Sequence, residues 1–371
     1  MNDRTSPHAP TALPFVVERN AHPVNSEERA RLLADPGFGR VFTDHMVMIR
    51  YNDAKGWHDA KVMPRGPLSI DPATAVLHYA QEIFEGLKAY KLADGSMALF
   101  RPEANARRFR DSAQRLAMAE LPEDLFIESL RQIVTIDRDW FPDIEGGSLY
   151  LRPFMFASEV FLGVKPSSEY IYIVLASSVG GYFKSGAPAI SLLVSQEHTR
   201  AAPGGTGAAK CGGNYAASLV AQADAIAKGF DQVVFLDAAE RRWVEELGGM
   251  NLFFVFSDGS IQTPPLGGTI LPGITRDALL TLAREDGIVV REEPYSIEQW
   301  QADAESGRLT EAFACGTAAV VTPIGRVTGA NGAFSIGAGG PGQFTTRMKD
   351  RLVAIQRGLA PDPHHWVMRL D

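Results

Sequence analysis

Cysteine is nearly absent: Cys211 and Cys315 are the two thiols in 371 residues. Two isolated cysteines make neither a disulfide framework nor a zinc-ligand set, and they point to a reducing, cytoplasmic setting. Long apolar runs are missing too. No segment reaches the roughly 18 to 20 apolar residues of a membrane span. The start, Met1-Asn-Asp-Arg-Thr-Ser-Pro7, has no cationic opening followed by an apolar stretch, so neither anchoring nor secretion is expected. The formal net charge of -8 comes without a basic face, which argues against nucleic acid as a partner. One local basic group, Arg107, Arg108, Arg110 and Arg115, falls on a single expected helix, where a solvated face accounts for it. No repeat period is visible.

What is present describes a globular, enzyme-like chain: 45% hydrophobic, 22% charged, 35 glycines. The length suits about two domains. The first 25 residues, rich in Pro, Asn and Ser, read as extended or flexible, with order beginning near Phe38. Residues 41–50 and 56–62 read as one hairpin, and 87–92 with 96–100 as another across Asp94-Gly95. Helices follow at 105–119, capped by Asn105, and at 125–138, then strands at 149–156 and 170–176. Hairpins, helices and strands in that order indicate an α+β class. Ser177–Pro188 is the best linker, dividing a smaller domain over 1–176 from a larger one over 189–371. Beyond it come strands at 190–195, 232–237 and 251–256, and helices at 215–228, 275–285 and 342–359.

The stretch Pro203-Gly-Gly-Thr-Gly-Ala-Ala-Lys210-Cys-Gly-Gly-Asn-Tyr215 sets one lysine among glycines just ahead of a helix. Glycine allows close backbone approach to a ligand, and the coming helix start favours an anion. A mobile loop with a solvated lysine is the plain alternative. A nucleotide P-loop fails here, because Ala209 stands where its glycine and Cys211 where its magnesium-binding hydroxyl belong. Pyridoxal phosphate, whose aldehyde bonds a lysine, remains; it requires a carboxylate for the ring nitrogen and a phosphate-binding helix start elsewhere.

Both have candidates. Glu245 and Glu246 precede an apolar strand, where a buried face can hold one of them; a solvated acidic turn is the alternative. Leu271-Pro-Gly-Ile-Thr-Arg276 runs into a helix, with the amides of Ile274 and Thr275 at its positive end, although an ordinary helix start has the same look. Ala314-Cys-Gly-Thr317-Ala-Ala adds a small-residue turn, weak by itself.

The words Phe42-Thr-Asp-His-Met46, Phe84-Glu-Gly-Leu-Lys88, Leu149-Tyr-Leu-Arg-Pro153, Gly205 to Tyr215, Glu246-Leu-Gly-Gly-Met-Asn251 and Leu271 to Arg276, in this order, closely resemble the branched-chain aminotransferases. These are pyridoxal 5'-phosphate enzymes of fold type IV, and the resemblance runs from about Phe38 to Trp366. It implies a fold type IV architecture of two α/β domains joined by an interdomain loop. It also implies an L-amino acid aminotransferase moving the amino group of leucine, isoleucine or valine to 2-oxoglutarate, in ping-pong fashion through a Schiff base on Lys210. A D-amino acid aminotransferase, an aminodeoxychorismate lyase and a non-catalytic phosphate-ligand binding protein are the alternatives; Tyr150-Leu-Arg152 and the 42–46 word favour the first reading.

By resemblance, Lys210 is the catalytic residue, Tyr215 meets the cofactor's phenolic oxygen, and Glu246 rather than Glu245 meets the ring nitrogen. Arg108, Ile274, Thr275 and Thr317 hold the phosphate. Tyr150 and Arg152 form a polar edge for the distal carboxylate of glutamate; Phe38, Tyr79, Phe84 and Tyr182 wall an apolar chamber; the amides of Thr317 and Ala318 receive the α-carboxylate. A homodimer with small-molecule substrates is implied. The Cys-x-x-Cys pair that some relatives carry after this turn is replaced by Ala318-Ala-Val-Val-Thr322, so thiol switching of that kind is not expected.

Overall fold

The computed structural model describes residues 13–180 and 189–370. Two nine-stranded sheets organise it, one in each half of the chain. The first runs in the order Val16–Val17, Gly56–Pro64, Val41–Asn52, Glu169–Val179, Ser148–Ala157, Leu87–Lys91, Met97–Phe100, Val367–Arg369, with Glu82–Phe84 alongside Ser148–Ala157. Apart from the parallel pair at Val16–Val17, its neighbours are antiparallel. Both expected hairpins are there, Val41–Asn52 with Gly56–Pro64 and Leu87–Lys91 with Met97–Phe100. Helices Pro102–Arg115 and Glu123–Ile136 lay Ala106, Phe109, Ala113, Leu130 and Ile133 on this sheet as its core.

The second sheet is mixed: Val244–Leu247, Gln232–Leu236, Ile190–Val194, Val320–Gly329, Leu309–Gly316, Asn251–Phe256, Ile261–Thr263, Val290–Glu292, with Gly332–Ser335 beside Val320–Gly329. Its strands carry runs such as Asn-Leu-Phe-Phe-Val-Phe that are buried on both faces, as expected of strands covered by helices on either side. A further core joins the halves: Tyr90, Leu92 and Phe100 of the first sheet pack with Phe253 and Phe313 of the second and with helices Ile274–Glu285 and Gln343–Gln356. The lysine loop lies between them, with Ala209 and Cys211 in the first sheet's core and Gly207 O held by Arg200 of the second half.

Several expectations change. Order precedes Phe38, because Asn25 caps a helix at Ser26–Ala34 and Leu13, Phe15 and Val24 pack on the core. Asn105 is no cap: Pro102 opens the helix behind Arg101, and the buried Asn105 amide instead donates to Glu85. The first residues of the expected linker, Ser177 to Val179, belong to a strand, held by pairing with Ser148, Leu149 and Tyr150; 181–188 lie outside the described residues. The C-terminal strand Val367–Arg369 returns to pair with Met97–Phe100, so the second unit does not run unbroken to the end. Among the described residues no helix is long and apolar enough to cross a membrane.

Candidate active site

Lys210 is fixed by the opposite half of the molecule. Its amide donates to Ser112 Oγ at 2.9 Å and its carbonyl accepts from Phe84 N at 2.9 Å. Ahead of it, the glycine loop is stapled by the buried Asn214, whose amide nitrogen reaches Thr206 O at 2.8 Å and Ala209 O at 2.9 Å. Gly207 is required there, because a Cβ would collide with the backbone of Thr269. Helix Gly212–Ala227 then starts and brings Tyr215 round one turn, so that Lys210 Nζ donates to Tyr215 Oη at 2.7 Å.

The electrostatics suit an amine that works without its proton. Burial pushes the Lys210 ammonium down to about 8, with Arg108 adding to the effect and Glu85 opposing it. Burial likewise pushes the Tyr215 hydroxyl up to about 12, helped by the charge of Glu246. The Lys210 ammonium lies 4.8 Å from the Phe84 ring centre, and Phe84 packs 4.9 Å from the Tyr215 ring.

Both acids at 245 and 246 are buried, contrary to the expectation that only one could be, because they sit on successive positions of strand Val244–Leu247 and point to opposite faces. Glu246 is the one on the Lys210 side: its Oε1 accepts from Leu271 N at 2.8 Å and lies 2.9 Å from Arg200 Nη2. Burial pushes it up to about 7, with Arg200 pulling the other way. Glu245 has an unpartnered buried Oε2, and burial raises its pKa also.

The loop Leu271-Pro-Gly ahead of helix Ile274–Glu285 is held by its carbonyls. Asn251 Nδ2 takes Leu271 O at 3.0 Å, Arg108 Nη1 takes Pro272 O at 3.0 Å, and Arg101 Nη1 takes Ile274 O at 3.2 Å. A Cβ at Gly273 would collide with Asn251. No side chain caps this helix, so its first-turn amides are left for an anion. Arg108 is buried rather than solvated. It forms a two-point pair with Glu85, Nε to Oε1 at 2.7 Å and Nη2 to Oε2 at 2.8 Å. Burial raises the Glu85 pKa, but the charge and hydrogen bonds of Arg108 outweigh it and hold the carboxylate below its usual range. Three of the five guanidinium N–H groups are thus used, which leaves two for a phosphate.

On the other side, Arg152 Nη2 donates to Tyr150 Oη at 3.0 Å, the guanidinium lies 4.9 Å from the Phe84 ring centre, and Phe38 packs 4.9 Å from Tyr150. Arg152 Nε is buried without a partner. Gly86 has to be glycine, since a Cβ would run into the Tyr150 hydroxyl. Thr317 and Ala318 form the hairpin turn between Leu309–Gly316 and Val320–Gly329.

Lys210, Tyr215, Phe84, Tyr150, Arg152 and Phe38 thus come together in one connected cluster. Tyr79 does not join it within its own chain: it is exposed, packs 6.4 Å from Phe161, and donates to Leu162 O. Tyr182 lies outside the described residues. Sequence reasoning missed Arg200, Glu85 as a partner, Asn214 and Asn251; Glu85 and Asn251 sit inside words already singled out, while Arg200 stands outside any of them.

A model of the amino-transferase class IV family matches residues 82–327. Among curated proteins, the chain is 55% identical to the branched-chain-amino-acid aminotransferase of Mycolicibacterium smegmatis, over 97% of this chain and 99% of that one. Among solved structures, the branched-chain amino acid aminotransferase from Escherichia coli is similar with TM-score 0.72 at 29% identity, covering 88% of this chain and 99% of that one. A branched-chain amino acid aminotransferase from Thermobaculum terrenum, solved in its PLP form, gives TM-score 0.71 at 25% identity, covering 88% and 98%.

Proposed function

The chain belongs to the branched-chain aminotransferases of fold type IV, and from that membership we propose how its own residues serve the transfer of an amino group from leucine, isoleucine or valine to 2-oxoglutarate. The carrying observation is the half-buried amine of Lys210 set 2.7 Å from Tyr215 Oη. The donor set around it fits pyridoxal 5'-phosphate, with a carboxylate on one side and an uncapped helix start on another. Bound there, that group supplies an aldehyde that bonds amines and a ring that draws electrons from the substrate's α-carbon.

In this reading Arg108, with its two unused N–H groups, and the amides of Ile274 and Thr275 hold the phosphate, with Thr317 beside them. Glu246 faces the ring nitrogen and keeps a proton on it, since a carboxylate at hydrogen-bonding range favours the cationic partner. Tyr215 donates to the phenolic oxygen. Lys210 would bond the cofactor's aldehyde and, when its amine is free, would serve as the base that takes the proton from the substrate Cα, a task that its lowered pKa of about 8 supports.

The pocket has to accept both an apolar side chain and a second carboxylate. Phe38 and Phe84 supply the apolar wall, and Arg152, with a buried N–H unspent, waits at one edge beside Tyr150 for the distal carboxylate of glutamate. The α-carboxylate is received by the amides of Thr317 and Ala318.

A homodimer completes the reading. Leu77, Tyr79, Val160, Leu162 and Val164 are large apolar residues left exposed by the single chain, and they lie on two segments, around 74–79 and 160–164, that an antiparallel bridge between Thr74 and Val160 joins. A second copy covering them would exclude water from the pocket mouth. A cytoplasmic setting suits the two buried, unpaired thiols. Incubation with L-leucine and 2-oxoglutarate tests the activity: matched formation of 4-methyl-2-oxopentanoate and L-glutamate is expected, and failure of either product to appear refutes it.

A further inference from the structure

The hairpin turn at Thr317-Ala318-Ala319 closes with Gly316 opposite Val320. Val320 has φ +60°, in the left-handed region that a β-branched side chain almost never enters. Strain of this kind persists only where the surroundings impose it. The turn that contains it is held from the other half of the chain. Lys88, on strand Leu87–Lys91 of the first sheet, sends its ammonium to Ala318 O at 2.9 Å and is only 7% exposed.

That ammonium is unusual for this molecule. Among the described residues its one hydrogen bond is to this carbonyl, although it has three N–H donors. The other buried cations near the site have carboxylates: Arg108 has Glu85, Arg200 has Glu246, and Arg276 has Glu292. Lys88 has none, and the charge felt most strongly beside it is the like charge of Arg357. Burial, with Arg357 adding to it, brings Lys88 down to about 8, so near neutrality the charge is largely retained. A buried cation without a counter-charge is costly to keep, and a carboxylate arriving at the adjoining turn would complete it.

We propose that Lys88 is a positioning residue for the substrate α-carboxylate: it clamps the carbonyl of Ala318, thereby aiming the amides of Thr317 and Ala318, and sets a positive charge behind them. This rests on the reading of that turn as the α-carboxylate seat. In that reading Lys88 acts on the substrate through the Ala318 peptide alone, so its loss acts on substrate binding before turnover.

The test uses the cofactor-loaded enzyme and the variants Lys88→Met, Lys88→Gln and Lys88→Arg. The dissociation constants of 4-methylpentanoate and of the neutral 4-methylpentanamide are measured, together with KM and kcat for L-leucine. The expected result is that Lys88→Met binds the acid about tenfold more weakly and raises KM to a similar extent. The amide affinity, cofactor content and kcat stay within about twofold, and Lys88→Arg recovers most of the acid affinity. Should the methionine variant not fold, the comparison of Gln with Arg carries the same contrast, since only Arg restores charge. Unchanged acid affinity in the uncharged variants, or equal weakening of acid and amide, overturns the proposal. In the wild type, the 15N amide signals of Thr317 and Ala318 are followed as the acid is added. Silent signals overturn the turn as the carboxylate seat, whereas shifted signals with unchanged acid affinity in Lys88→Met overturn the part of Lys88 alone.

Discussion

Arg200 Nη2 lies 2.9 Å from Glu246 Oε1, with the two side chains 4% and 3% exposed. The same guanidinium holds Thr269 O at 2.9 Å and Gly207 O at 3.1 Å, so one residue ties Glu246, the stretch ahead of helix Ile274–Glu285 and the lysine loop together. Arg200→Met strands a buried carboxylate and frees two carbonyls. A destabilisation of about 3–5 kcal/mol is expected from a broken buried pair. Urea unfolding of the cofactor-free protein measures it, and a loss below about 1 kcal/mol would show that the pair is not carrying the seam.

Glu246 gives a pH dependence with a definite sign. Its pKa in the folded protein is about 7, above the 4.5 of a free glutamate. The native cofactor-free protein therefore holds this proton more tightly than the unfolded chain does. The stabilisation is complete below the unfolded pKa and is lost as pH rises through about 7. Glu246→Gln lacks this dependence, so the stability gap between wild type and variant moves in favour of the variant between about pH 5 and about pH 8. Cofactor carrying a protonated ring nitrogen opposes the trend. Unfolding curves across pH, with and without cofactor, make the comparison; a gap that is flat in the cofactor-free state contradicts it.

Arg152 is expected to separate the two substrate classes. Its orphaned Nε and its bond to Tyr150 matter to a distal carboxylate and not to a leucine side chain. Arg152→Met raises KM for 2-oxoglutarate by roughly ten- to a hundredfold, the worth of a charge-assisted hydrogen bond. KM for leucine changes far less. Steady-state kinetics with each substrate varied in turn decide it, and equal effects on both would remove Arg152 from this role.

His45 and Asp44, inside the Phe42–Met46 word, hold the fold together. His45 Nδ1 lies 2.7 Å from Asp137 Oδ1, its Nε2 accepts from Asn20 N at 2.9 Å, and Asp44 takes Trp140 Nε1 at 2.9 Å and Val24 N at 3.0 Å. Together they pin the N-terminal segment to the first sheet. His45→Leu leaves buried partners unsatisfied and is expected to cost roughly 1–3 kcal/mol while kcat stays unchanged. Thermal unfolding and initial rates check the two halves of that statement; a large drop in kcat with stability intact would contradict a structural part for His45.

The sequence exposed what depends on local pattern. Alternation and turn residues marked the hairpins around Asn52 to Gly56 and at Asp94-Gly95, and glycine beside Lys210 marked a loop open to a ligand. What depends on distant partners stayed hidden. Arg108 looked solvated because Glu85, 23 residues away, cannot be seen from its helix. Glu245 looked like a solvated neighbour because nothing local says that Val244–Leu247 is a strand covered on both faces. Tyr79 looked like a pocket wall, yet its own chain leaves it exposed, because a local pattern does not say which surface a residue faces. The C-terminal strand at Val367–Arg369 is three residues long and takes its place only from the open edge at Met97–Phe100.

The central claim, that Lys210 is the amine bonded to the cofactor, is tested most directly by reducing the cofactor-loaded enzyme with borohydride and mapping the modified peptide by mass. Lys210 and Lys88 make a stringent comparison, since both are enclosed amines brought down to about 8. A single pyridoxyl adduct on the peptide holding Lys210, missing in Lys210→Ala, is the expected result. An adduct on Lys88 or on any other lysine, with Lys210 unmodified, would contradict it.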